Sequence, residues 1–311
     1  MYSGSRAFRH AVVLALIVPA ALAAQAPAAT LPASEASELV KQGRKLSDDG
    51  KQDEALALLR RAIDLAPSFS EAHLAIGVAL DLKGDYAAAR PHIARGIELA
   101  DARAKPAALK TMAMSYAFES RADDAARYER QVFEMQSAAG DFIGAAGTSN
   151  ELARIYIESG NIDSAFTWYR TGYRTASLKP DLTDAEKDLW AFRWHHAQAR
   201  IAARRGQGDV ALEHVAMAKA SLDKGTNPDQ QRFFPYLTGY VAFYAGDMKK
   251  AIADLQQADQ RDPFILSLLA AAYEKSGEPA QALDYWRQVL TFNSHNPTNA
   301  FARPLAKKKV L

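Results

Sequence analysis

Arg193, His196, Arg200 and Arg204 recur at three- and four-residue steps and so share one face of a helix. Phe233, Tyr236, Tyr240 and Tyr244 repeat the same spacing further along the chain. Guanidinium groups offer forked donors that match a carboxylate, and tyrosine offers apolar area with a polar tip. No acid occurs between Leu189 and Gly208, so the arginines lack partners on their own segment. A basic helix beside an aromatic one suits an extended peptide that carries acidic groups or a free carboxyl terminus. Lys110, Asn150 and Arg154 fall on the corresponding stripe of earlier segments, as do Glu71, Val78, Asp81, Met114 and Glu158. The bland reading stands beside this one: the arginines pair with acids on neighbouring helices, and the aromatics fill a core.

Signals for catalysis are poor. Cysteine is absent, which excludes disulfides, thiol nucleophiles, iron–sulfur clusters and thiolate zinc sites. The seven histidines form no His-Glu-x-x-His motif. Adjacent His195 and His196 would point about 100° apart on a helix and would not share one metal. The chain holds no Gly-x-Ser-x-Gly elbow and no Gly-rich phosphate loop. We therefore expect no catalytic residue, no metal site and no cofactor. Lys plus Arg number 38 and Asp plus Glu number 36 in 311 residues, too balanced for a nucleic-acid-binding domain.

The elements that carry these side chains repeat. Gly43, Leu46, Gly50, Ala55, Leu59 and Ala62 are followed 34 residues later by Gly77, Leu80, Gly84, Ala89, Ile93 and Gly96. The ladder returns as Gly239, Ala242, Gly246, Ala251, Leu255 and Ala258. Small residues let two helix backbones approach, the larger residue beside them fills the gap, and a turn glycine ends the first helix. Weaker copies run through Ala113, Tyr156, Ala199 and Ala270. In the third copy Ser120 replaces the turn glycine and Glu129 falls where an apolar residue should pack, which suggests a second helix shifted by a residue. A long insertion opens at Thr183, three residues before Glu186 in capping-box spacing. It continues as a helix of about 21 residues, or about 31 Å. Trp190 and Trp194 on it read as a ridge that locks neighbouring repeats.

This ladder resembles the tetratricopeptide repeat. The resemblance implies an all-α chain: a right-handed superhelical solenoid of about seven helix-turn-helix repeats, near 36–69, 70–103, 106–139, 146–179, 192–225, 232–265 and 263–296. It also implies protein–protein interaction in general, without naming a partner. Some members clamp a peptide carboxylate with Lys and Asn; Lys110 and Asn150 resemble that chemistry but not its positions.

Outside the solenoid, 34–296, lie two ends. Arg6, Arg9 and His10 precede the 14-residue apolar run Ala11 to Ala24, too short to span a bilayer, with Ala21-Leu22-Ala23 as a cleavage site. We expect residues 1–23 to be a cleavable export signal of bacterial type and 24–33 an Ala/Pro-rich leader, which places the mature chain in the periplasm or outside the cell with no stable membrane span. Arg6 and Arg9 leave with the signal, so the +2 formal charge disappears. At the other end, 297–311 reads as a basic tail with a short turn at Asn299 to Ala302 and a solvated Lys307-Lys308-Lys309 run. The expectation is a non-catalytic scaffold for a protein or peptide partner. The alternative is an enzyme, or a binder of a glycan or peptide fragment, in the basic and aromatic groove.

Overall fold

The computed structural model describes residues 31–311; the expected export signal and most of the expected leader lie outside the described residues. Seven helix pairs follow one another, each first helix packed on its second. They are α1 (Leu31–Asp48) with α2 (Gln52–Leu65), α3 (Ser70–Lys83) with α4 (Tyr86–Leu99), and α5 (Lys105–Ala117) with α6 (Ala122–Ala138). Then come α7 (Phe142–Glu158) with α8 (Ile162–Ala176), and α9 (Asp184–Arg204) with α10 (Gly208–Asp223). Last are α11 (Phe234–Ala245) with α12 (Met248–Gln256), and α13 (Pro263–Lys275) with α14 (Pro279–Val289). No strand occurs among the described residues. The chain is an all-α solenoid of stacked helix pairs.

The ladder residues make the helix–helix contacts their sizes predict. A Cβ on Gly239 would stand 2.6 Å from Leu255 Cγ, so only glycine lets α11 and α12 approach this closely. Ala55, Leu59, Ala62, Ala89 and Ile93 are fully buried. Thr183 caps α9 as a capping box: its hydroxyl accepts from Glu186 N, and Glu186 accepts from Thr183 N. The 21 residues of α9 match the length read from the insertion. Trp190 packs on Ile143, Ala146 and Tyr173 of the preceding repeat, and Trp194 stacks on Tyr173 at 5.4 Å.

The third repeat corrects one expectation. Its second helix is not shifted: Ala125, Glu129 and Val132 are all fully buried, so Glu129 occupies the core position itself. Ser120 takes the turn with φ 56°, a conformation that glycine adopts without a Cβ penalty. Ser120→Gly is expected to raise stability by up to about 1 kcal/mol, read as a higher denaturant midpoint at unchanged slope. An equal or lower midpoint would show that the serine side chain stabilises the turn.

The carboxyl end departs most from expectation. Residues 297–310 are neither a tail nor a short turn but a helix of 14 residues, α15 (Pro297–Val310). Asn296 caps it by accepting from Asn299 N at 3.0 Å, and Pro297 sits at its first turn, where no N–H is needed. Its small face, Ala300, Ala302 and Ala306, is buried along with Asn299. α15 lies on the inner row of first helices and touches α5, α7 and α13. Lys307 donates to Lys83 O at 2.7 Å and Lys309 pairs with Glu274, so two of the three tail lysines are anchored. The segment before it returns to the start of the array: Asn293 donates to Asp48 O at 3.2 Å, and His295 meets Asp81 Oδ2 at 2.9 Å. No helix among the described residues is long and apolar enough to cross a membrane.

Candidate functional site

α7, α9, α11, the start of α13 and the start of α15 line an open cavity of about 700 Å³ on the inner row. Seven residues singled out from spacing line it: Asn150 and Arg154 from α7, Arg193, His196 and Arg200 from α9, Phe233 from the 3-10 turn Pro228–Phe233, and Tyr236 from α11. Arg204 and Tyr244 instead line a second cavity of about 650 Å³, bounded by Phe301 and Leu305 of α15. Tyr240 lies wholly buried between its neighbours. Lys110 is tied to Glu151 of α7 at 2.5 Å, leaving Glu151 at the cavity wall.

The expected exposure of this face needs correction. Arg193 is exposed, but Arg200 is 4% exposed, Tyr236 6% and Tyr240 0%. Asp81 and Met114 are buried as well. The inner face of α9 and α11 is covered by α7, α13 and α15, so a stripe that reads as solvent-facing in sequence becomes a wall. The face is packed, and part of it still borders a cavity.

Glu158 organises the cations behind that wall. Its carboxyl, 4% exposed, lies 3.6 Å from Arg154 Nε, 4.0 Å from Arg200 NH1 and 3.4 Å from Arg204 NH1. Burial pushes the Glu158 carboxyl up, and the three guanidinium groups oppose that shift. Arg200 donates to Tyr169 Oη at 2.6 Å. Arg204 donates to Tyr244 Oη at 3.2 Å and to Tyr240 Oη at 3.4 Å. Burial would lower the Arg200 pKa, but the phenol groups of Tyr169, Tyr236 and Tyr240 and the Glu158 carboxyl raise it on balance, so it stays a cation. Arg154 lies over the Phe264 ring at 4.6 Å.

His196 sits between the rings of Phe192 and Tyr236, each 5.6 Å away between centroids. Burial, with Arg200 and Arg154 nearby, holds its imidazole well below the usual range, so the ring is neutral at pH 7. No hydrogen bond joins it to a carboxylate among the described residues, so the arrangement provides no acid–base pair. His195 turns the other way, as its spacing predicts, and meets His214 with 3.1 Å between the two Nδ1 atoms. Among the described residues no group of His, Asp and Glu could hold a metal ion.

Phe192, Arg232, Asp262, Asn296 and Thr298 also line the first cavity, and the spacing of α9 and α11 did not single them out. The Asn-Pro pair at 296–297 was the available signal: asparagine before proline is a helix start, and a helix there must pack somewhere.

Residues 40–106 match the tetratricopeptide repeat family model. The chain is similar in fold to a tetratricopeptide repeat protein from Parabacteroides merdae, at TM-score 0.54 and 12% identity, over 89% of this chain and 98% of that one. It is also similar to the TPR-like repeats of a kinesin light chain from Podospora anserina, at TM-score 0.51 and 17% identity, over 63% of this chain and 98% of that one. None of the curated proteins matches. The helix pairs that continue the ladder beyond residue 106 pack as the matched ones do, so residues 40–106 match the tetratricopeptide repeat model and the chain as a whole has the fold of tetratricopeptide repeat structures.

Proposed function

We propose that this protein is an exported, non-catalytic scaffold that holds a protein or peptide partner on its inner face, in the bacterial periplasm or outside the cell. The observation that carries the reading is the cavity lined by Arg193, Phe233 and His196 on the inner row of stacked helix pairs. Stacked helix pairs present such inner surfaces to extended partners. Exposed Arg193 and half-buried Phe233 would meet a partner that carries acidic groups or a free carboxyl terminus. Export rests on the basic residues, short apolar run and Ala21-Leu22-Ala23 site at the start of the chain.

The test is crosslinked co-purification of the mature protein from envelope extract, compared with the Arg193→Ala/Phe233→Ala double variant. Both side chains lie outside the buried arginine cluster, so helicity by circular dichroism should be unchanged. The expected result is a partner captured by the native protein and lost or strongly depleted in the variant. Equal capture by both would remove the inner face as the docking site. Amino-terminal sequencing of the exported chain should begin near Ala24; a chain that keeps Met1 in the cytoplasm would overturn the export reading.

A further inference from the structure

We propose that the cavity between α9, α11 and the start of α15 binds a small organic oxyanion: an aromatic or apolar body bearing one phosphate or carboxylate. This goes beyond partner docking at the rim and stands or falls separately from it. The first ground is a set of buried donors without hydrogen bonds. Arg154 Nε and Arg200 NH1 reach Glu158 only as long ion pairs, at 3.6 and 4.0 Å, Arg154 NH2 and Arg200 Nε make no hydrogen bond, and both residues line the cavity. An unpaired buried donor is costly, about 1–3 kcal/mol and more when charged, and an oxyanion would satisfy several at once.

The acids around the cavity offset these cations only in part, Asp262 and Glu158 being the two that act on Arg154. Glu151 is held by Lys110, and Asp259 is held by Arg261. Asp262 accepts from Phe264 N at the start of α13. Glu158 is shared among three arginines. Exposed Arg193 and Arg232 add further positive charge at the rim.

The second ground is α15. Its first residues, Asn296, Pro297 and Thr298, line the same cavity, so the positive end of a 14-residue helix borders it. The third is the wall: Phe192, Phe233 and Tyr236 give a flat apolar surface beside the charged end, and neutral His196 adds an N–H without adding charge. A volume near 700 Å³ exceeds what a bare ion fills and falls in the range of small-molecule sites. Because α7, α9, α11 and α15 each contribute, a bound ligand would also fasten α15 to the array.

The test is isothermal titration of the full chain with phenyl phosphate, benzoate and inorganic phosphate. Expected is one-to-one binding of phenyl phosphate or benzoate, whichever head group the site prefers, with inorganic phosphate at least about tenfold weaker for want of the apolar contact. Arg154→Gln should weaken the organic ligand by about tenfold or more, the loss of a charge-assisted pair. Exposed Arg232→Gln, which spares the buried cluster, should weaken it by a few-fold. In the native chain, ligand should slow hydrogen exchange in the first turn of α15. The proposal is overturned by absence of binding with all three probes, by inorganic phosphate binding as tightly as the organic probes, or by a folded Arg154→Gln that binds unchanged. Unaltered exchange in α15 on saturation would remove the helix start from the site.

Discussion

Deleting residues 297–311 is expected to destabilise the whole array rather than trim an end. α15 buries Asn299, Ala300, Ala302 and Ala306, and it covers residues from both halves of the solenoid. Ala300 packs into a cluster with Leu82, Met114, Phe118 and Ile155, which belong to the second, third and fourth repeats. Ala302 and Ala306 pack with Phe264, Leu268 and Trp286 of the last repeat. Phe301 borders both clusters. Asn299 Nδ2 donates to Phe292 O at 3.2 Å and to Ser294 O at 2.8 Å, and Arg303 donates to Leu82 O at 3.1 Å. Exposing two large apolar side chains alone costs about 3 kcal/mol or more, and the freed carbonyls add to that.

Thermal and denaturant unfolding followed by circular dichroism should show a clearly lower midpoint and a broader transition, because the second to fourth repeats and the last then lose the helix that joins them. Ala300→Asp should act in the same direction by placing an unpaired carboxylate among apolar side chains. A truncated chain that unfolds at the native midpoint would show that α15 is appended rather than structural, and the link between its start and the cavity would go with it.

What could be read from residue order follows the range of each contact. Gly239 against Leu255, or Thr183 against Glu186, are contacts within one helix pair or one turn, and spacing along the chain reports them directly. That stripes of α7, α9 and α11 come together was legible for the same reason: a stripe of period 3.6 on successive first helices ends up on one inner row. Its burial was not legible. Asp81 meets His295 across 214 residues, and Lys307 meets Lys83 across 224. No periodic pattern encodes a partner so distant. Arg200 and Tyr240 therefore looked exposed, since the side chains that cover them, Tyr169 and Glu158 on Arg200 and Arg204 on Tyr240, come from other helices. Glu158 was on the right stripe, yet its place among three arginines depends on how α7 and α9 sit side by side, which spacing on one helix leaves open.

Glu129 carries the second large expectation, of opposite sign. It stands on α6 where the other second helices place Leu59, Ile93, Tyr169, Val215, Leu255 and Trp286. It is fully buried, and neither carboxyl oxygen has a hydrogen-bond partner. Burial holds its carboxyl well above the usual carboxylate range, and the Glu151 carboxylate pushes it further up. Lys110 opposes this, but its ammonium already contacts Glu151 at 2.5 Å.

Glu129→Leu, which restores the repeat's own pattern, should stabilise the fold by about 1–3 kcal/mol at neutral pH. Glu129→Gln should gain less, because a buried amide still lacks partners. The pH dependence follows from the raised value. An acid whose folded pKa lies above its unfolded value of about 4.3 binds more protons when folded. Its presence therefore costs least below about pH 4, and the cost grows as pH climbs from the unfolded value to the folded one. Chemical denaturation of native protein and Glu129→Leu across pH 4 to 8 should give curves that lie closest at the acid end and diverge as pH rises, with the variant on top. If the leucine variant is the less stable protein throughout, the buried carboxyl is engaged with Lys110 or Glu151 in a way that stabilises the third and fourth repeats.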